Sequence, residues 1–178
     1  MKNIIFATSV QKVLEYIIDY PETEFTEREI RKKVRLSKSA INYALRKLCK
    51  YGLITRRKKG GVFLYSLNHN HIIIKQIKIL KNIINILPLV QKIKKYSIRI
   101  MLFGSASRGE NWRDSDIDLV VIAKNKDMIP EIKKNINSNK KIKPILVTEL
   151  GFMEIKKKDP VFYREIENGI TLWNSHES

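Results

Sequence analysis

The residues best equipped for chemistry lie between Gly104 and Asp118. An apolar run (Ile98, Ile100, Leu102, Phe103) stops at Gly104-Ser105, ten residues intervene, and Asp116-Ile117-Asp118 then opens a second apolar run, Leu119 to Ile122. On a strand, residues two apart face the same side, so Asp116 and Asp118 would hold two carboxylates together, and like charges so placed repel. A cation belongs there. Two carboxylates, with water and substrate phosphates completing the shell, are a usual way to hold Mg²⁺ in phosphoryl transfer, and Mn²⁺ suits the same oxygen ligands. Asp116 and Asp118 are therefore the expected metal ligands and catalytic carboxylates. Gly104 lets a phosphate approach the backbone, and Ser105 is expected to cap a short helix whose N–H groups face that phosphate. Arg108 and Arg113 either neutralise the same phosphates or lie solvated on the surface. Trp112 either stacks on a base or packs a loop.

The wording of residues 103 to 119, Phe-Gly-Ser followed by Arg108-Gly109 and then Ser115-Asp-Ile-Asp-Leu119, resembles the signature of the DNA polymerase beta nucleotidyltransferase superfamily. It is most similar to the small prokaryotic, minimal members, over roughly residues 85 to 173. The resemblance implies an Mg²⁺- or Mn²⁺-dependent transfer of a nucleoside monophosphate from a nucleoside triphosphate, and the alternation of strands with helices argues for a mixed sheet. The resemblance also implies a third carboxylate on the strand after Asp-X-Asp. Here that strand reads Lys141-Ile-Lys-Pro-Ile-Leu-Val-Thr148, without Asp or Glu, and Glu149 is the expected substitute. Without general-base help, turnover would be about 10²- to 10⁴-fold slower.

Other elements must position this stretch. The 178 residues suffice for one large or two small domains. Charge is unevenly spread: residues 1 to 68 carry 15 basic and 6 acidic side chains, residues 69 to 100 carry 7 and none, and residues 101 to 178 carry 13 and 12. The excess in the first half favours a polyanionic partner. Cys49 is the single cysteine, which excludes an intramolecular disulfide and fits a reducing, cytoplasmic setting. No charged-then-apolar leader starts the sequence, and lysines 75, 78 and 81 interrupt its most apolar region, so neither secretion nor a membrane span is expected.

The predicted order is helix (9–19, stopped before Pro21), helix (27–34, with a Thr26/Glu29 capping box), helix (38–51, capped by Ser37 and ended by Gly52), then strands 54–57 and 62–67 joined by Lys58-Lys-Gly-Gly61. This resembles a winged helix-turn-helix DNA-binding domain, including its Leu48-Cys-Lys-Tyr-Gly-Leu-Ile54 join. Independently of that likeness, Ser39, Asn42, Tyr43, Arg46 and Lys50 share the outward face of the third helix, and Arg56, Arg57, Lys58 and Lys59 charge the hairpin. The first group is suited to a major groove of double-stranded DNA and the second to its backbone. The other reading is a solvated surface that mediates protein contact.

From His71 to about Leu87 an apolar helix carries the stripes Ile73, Ile77, Leu80, Ile84, Leu87 and Ile72, Ile79, Ile83, Ile86. So wide a face must be covered, either between two domains or by a second copy in a homodimer. Pro88 is expected to break it, with a second helix over 89–95. His69 and His71 lack a third metal ligand nearby and read as a loop and helix cap. A helix over 127–135, a strand over 140–148, helices over 149–157 and 160–167, and a strand over 170–173 complete the chain. The expected fold is α+β, or mixed α/β: a winged helix (1–68), a linker helix with a candidate dimer surface (69–87) and a minimal nucleotidyltransferase domain (88–178).

Three functions fit these features: a nucleotidyltransferase coupled to DNA binding, a DNA-binding transcriptional regulator whose weakened catalytic domain senses nucleotide, and, from the resemblance, an antitoxin-like protein that modifies a toxin-like partner.

Overall fold

In the computed structural model, which describes residues 5–137 and 141–175, the chain divides by its contacts into Met1–Gln76 and Ile77–Ser178.

The first unit follows its capping signals. Helix α1 (Ser9–Asp19) starts at Thr8, whose hydroxyl accepts from the Gln11 N–H (3.3 Å) while the Gln11 side chain accepts from the Thr8 N–H (3.0 Å). Strand β1 (Phe25–Thr26) leads into α2 (Glu27–Val34), and the Thr26/Glu29 capping box forms, with Thr26 N–H donating to the Glu29 carboxylate at 2.8 Å. Helix α3 (Lys38–Lys50) is capped by Ser37, and the chain leaves it through Gly52 at φ +68°, a conformation that glycine adopts without penalty. Val13, Leu14, Ile17, Ile30, Ile41, Leu45 and Leu48 form the shared core of the three helices.

The hairpin differs from expectation. Strand β2 runs Ile54–Lys59 and β3 runs Val62–Leu67, so Lys58 and Lys59 lie on a strand and the turn is Gly60-Gly61 alone. Both glycines have positive φ, which a tight two-residue hairpin turn requires. The sheet order is β1-β3-β2, all antiparallel. A two-residue strand such as β1 has no alternating pattern and gave no signal in the sequence.

Helix α4 (Ile72–Ile93) runs through Pro88, where two helices were expected. An interior proline costs about 3 kcal/mol, but Ile86, Val90 and Ile93 are buried around it, and each such side chain gains roughly 1.5–3 kcal/mol. Packing wins. The buried line of its first half is Ile74, Lys78, Lys81, while Ile72, Ile73 and Leu80 of the expected stripes are exposed.

The second unit is a four-stranded mixed sheet in the order β6-β5-β4-β7: β4 (Ser97–Phe103), β5 (Ile117–Ala123), β6 (Ile142–Thr148) and β7 (Ile170–Asn174). Strand β4 is antiparallel to β5 and β7, and β5 is parallel to β6. The expected start of the third strand at Lys140 lies outside the described residues. A four-residue helix α5 (Gly104–Ser107) follows β4, α6 (Ile129–Ile136) precedes β6, and α7 (Glu149–Lys158) and α8 (Pro160–Glu167) follow it.

Alternation along the strands separates two faces. Ile100, Leu102, Leu119, Val121 and Ile142 pack with Ile86, Val90 and Ile93 of α4 and Ile132 and Ile136 of α6. Met101, Phe103, Val120 and Ile122, with Ile145 and Val147, pack with Phe152 of α7 and Phe162 and Ile166 of α8. The fold is mixed α/β, as expected. Among the described residues no helix is long and apolar enough to cross a membrane.

Candidate functional site

The polar site sits where β4 ends and β5 begins. The chain leaves Phe103 through Gly104 at φ +68°, and a Cβ there would lie 2.5 Å from the Asp118 carboxylate oxygen Oδ2. A side chain there would push that carboxylate aside, and the positive φ strains any residue but glycine. Asp118 faces Phe103 in the ladder, and Asp116 lies two residues before it, just ahead of the strand. Ser105 does not cap a helix: α5 starts at Gly104, Phe103 holds the capping position without a side-chain bond, and the Ser105 carbonyl accepts from the N–H groups of Arg108 (3.3 Å) and Glu110 (2.9 Å).

The loop from Arg108 to Asp116 is pinned from both ends. Asn82 of α4 donates to the Ala106 carbonyl and to the Asn111 side chain, both at 2.9 Å. Lys141 Nζ donates to the Arg113 carbonyl at 2.6 Å, and Trp112 N–H donates to Ser115 Oγ at 2.8 Å. Trp112 lies over the Lys78 ammonium at 5.7 Å. Arg108 pairs with Glu110 (3.0 Å) and with Glu165 of α8 (3.5 Å), and both carboxylates hold its pKa above the ordinary value.

Burial, then the charge of Asp116, then that of Glu165 push the Asp118 carboxyl up from the ordinary carboxylate pKa. The named charges acting on it are negative, and a bound cation would relieve them. The donor set, two carboxylates beside a backbone left open by Gly104, suits a hard divalent ion with nucleotide phosphates. Among the described residues, no group of three His, Cys, Asp or Glu side chains has the placement to hold a metal ion.

Glu149, the expected substitute for a third carboxylate, is at the wrong end. Strands β5 and β6 run parallel with Asp118 beside Lys143 and Ala123 beside Thr148, and at about 3.3 Å per residue Glu149 lies roughly 20 Å from Asp118. The acidic group that acts on Asp118 besides Asp116 is Glu165, brought from α8 by packing of Phe162 and Ile166 on the sheet. Glu165 borders a 610 Å³ cleft with Ser107, Arg108 and Arg164. No local pattern announces it.

In the first unit Ser39, Tyr43, Arg46 and Lys50 are exposed on α3, while Asn42 is half-buried and donates to Glu27 at 3.4 Å. Arg56, Arg57, Lys58 and Lys59 are exposed on β2. They are not equivalent: Arg57 is held by the Glu24 carboxylate, and Arg56 lies over the Phe63 ring at 4.3 Å. Arg28, Arg31 and Lys38 border both of two neighbouring clefts, and Lys32 borders one of them. The i, i+3, i+4 spacing of residues 28, 31 and 32 on one helix face was the available signal.

Residues 81–178 match the family model described as polymerase beta, nucleotidyltransferase. The chain belongs to this family. Ahead of its nucleotidyltransferase domain, residues 11–68 match a winged helix DNA-binding domain model. Among solved structures the chain is similar to a candidate nucleotidyltransferase from Sulfolobus solfataricus, at 17% identity over 57% of this chain and 91% of that one, TM-score 0.37. It is also similar to a toxin–antitoxin complex with AMP-PNP, at 25% identity over 54% of this chain and 76% of that one, TM-score 0.36. No curated protein matches the chain.

Proposed function

We propose that this protein is a nucleotidyltransferase whose winged helix holds it on duplex DNA. It binds a nucleoside triphosphate with Mg²⁺ or Mn²⁺ and joins the α-phosphorus to the oxygen of a hydroxyl acceptor, whose proton passes to solvent, with cleavage of the bond to the β-phosphate and release of pyrophosphate. The observation that carries this reading is the close approach of Gly104 to Asp118, which puts an open backbone turn against a carboxylate crowded by negative charge.

Asp116 and Asp118 would hold the metal ion, which would neutralise phosphate charge and orient the triphosphate. Gly104 and Ser105 provide the backbone against which the triphosphate lies. Arg108, already oriented by Glu110 and Glu165, turns toward incoming phosphate by exchanging one carboxylate for another anion. Arg113 lends long-range charge from the loop. On the DNA side, Ser39, Asn42, Tyr43, Arg46 and Lys50 face the major groove, while Arg56, Arg57, Lys58 and Lys59 lie along the backbone.

Pyrophosphate release, assayed with each nucleoside triphosphate in Mg²⁺ or Mn²⁺ and with protein, RNA and DNA offered as acceptors, tests the enzymatic half. Release that requires both aspartates supports it, and release that persists in Asp116→Ala/Asp118→Ala overturns the site. The DNA half requires retention on duplex DNA that falls steeply with salt.

One observation favours a second reading, a DNA-binding regulator that senses nucleotide without transferring it: the strand beside Asp118 brings Lys143, where a catalytic site would gain from a third carboxylate. Nucleotide binding without pyrophosphate release would decide for it.

A further inference from the structure

We infer that Lys143 is part of the nucleotide site, a positive charge that supplies part of the affinity for the polyphosphate. The inference rests on the nucleotide-binding reading above.

Paired residues of a parallel ladder share a face of the sheet. The register from β5 to β6 pairs Val120 with Ile145 and Ile122 with Val147, and all four pack on the α7/α8 face. One step of two residues toward the start of each strand gives Asp118 and Lys143. Lys143 therefore belongs to the same face as Asp118, on adjacent strands about 4.8 Å apart, at the end where Gly104 and Glu165 converge on that carboxylate.

An edge strand often carries lysine to discourage pairing with other chains, and β6 is an edge. That role explains any exposed position on β6. It does not explain a lysine beside a crowded carboxylate. Lys143 is exposed, and its four-carbon stem lets the ammonium serve either Asp118 or an anion lying against Gly104. The charges that act on Asp118 are those of Asp116 and Glu165, which leaves the Lys143 ammonium for an incoming phosphate, and an ammonium is a common point-charge partner of phosphate. An ammonium there offsets part of the negative charge of Asp116, Asp118 and Glu165, so part of the affinity for a polyphosphate becomes independent of metal.

The test uses the full chain and the non-cleavable α,β-methylene analogue of ATP. Its affinity is measured in EDTA and in Mg²⁺ for wild type, Lys143→Met, Lys143→Arg and Lys143→Asp, and bound Mn²⁺ per nucleotide is counted by electron paramagnetic resonance. Wild type should bind the analogue in EDTA, Lys143→Met should weaken that binding about tenfold with a smaller loss in Mg²⁺, and Lys143→Arg should retain it. Lys143→Asp should lose the metal-free binding and take up more Mn²⁺ per nucleotide. Equal binding in EDTA by wild type and Lys143→Met, no binding by wild type in EDTA, or an unchanged Mn²⁺ count in Lys143→Asp would overturn the role of Lys143. If wild type binds in Mg²⁺ while these outcomes fail, only Lys143 falls. If it binds in neither condition, the nucleotide-site reading falls with it.

Discussion

On the proposed reading, the winged helix and the sheet end of the nucleotidyltransferase domain carry function in opposite ways. The first spreads it over many exposed cations on α2, α3 and β2, several of them already engaged with neighbours such as Glu24 and the Phe63 ring. The second concentrates it at one turn, where Gly104 leaves no room for a Cβ and Asp118 is crowded by Asp116 and Glu165. Charge on a surface is redundant and tolerant of substitution; a close approach of backbone to carboxylate is neither. Single changes should therefore be severe in the second region and graded in the first.

Gly104→Ala should have the largest effect of a one-atom change. Its Cβ would collide with Asp118, and its φ of +68° disfavours any side chain. Metal-dependent nucleotide affinity, read by calorimetry, should fall at least about tenfold, the consequence of losing roughly 1.4 kcal/mol, while DNA retention is unchanged. Equal loss of both activities would show that the two regions are not separable as described.

Gly169→Ala is the matching control for packing. A Cβ there would lie 2.4 Å from the Leu102 carbonyl and 2.9 Å from that of Ile166. Overpacking against backbone typically costs about 1–3 kcal/mol, so the denaturation midpoint of the second unit should drop. A variant as stable as wild type would mean that β4 and β7 separate more easily than their ladder implies.

On the DNA side the effects should be smaller and unequal. Arg46→Ala and Lys50→Ala should each reduce the salt slope of duplex binding by about 1, as the loss of one phosphate contact does, measured by retention over a salt series. Arg57→Ala should do less, because Glu24 already engages that guanidinium. Should Arg57 prove the strongest of the three, its ion pair with Glu24 is broken on binding.

The smallest expected effect concerns pH. Asp118 has a folded-state pKa above its ordinary value, so its contribution to stability is present below the ordinary carboxylate pKa and is lost as pH rises through the raised one. In its ionised form it works against the fold. Asp118→Asn should then melt above wild type at neutral pH, the two curves should converge in acid, and Mg²⁺ should raise wild type alone.

How much of this was legible in the sequence follows the range of the interactions. The capping box of Thr26 and Glu29, the exit through Gly52 and the Gly104–Asp118 spacing are local and appear in the structure as read. Pro88 misled because its local cost is outweighed by burial of residues on both sides, which only tertiary packing supplies. Lys58 and Lys59 look like loop residues in the sequence because strand ends in a hairpin depend on turn geometry, here two glycines of positive φ. Glu165 and Lys143 were invisible for a different reason. Helix α8 packing brings one to Asp118 and a parallel strand pairing brings the other, and neither leaves a local pattern. The same parallel direction is what removes Glu149.

The central claim is that Asp116 and Asp118 serve a nucleotide. Its most direct test is incubation with nucleoside triphosphates labelled at the α-phosphate, in Mg²⁺ or Mn²⁺, followed by separation of protein, RNA and DNA. Wild type should place label in one acceptor class, and Asp116→Ala/Asp118→Ala should reduce it by at least about 10³-fold, as loss of the metal-borne charge stabilisation would. Equal labelling by wild type and the double variant would contradict the account.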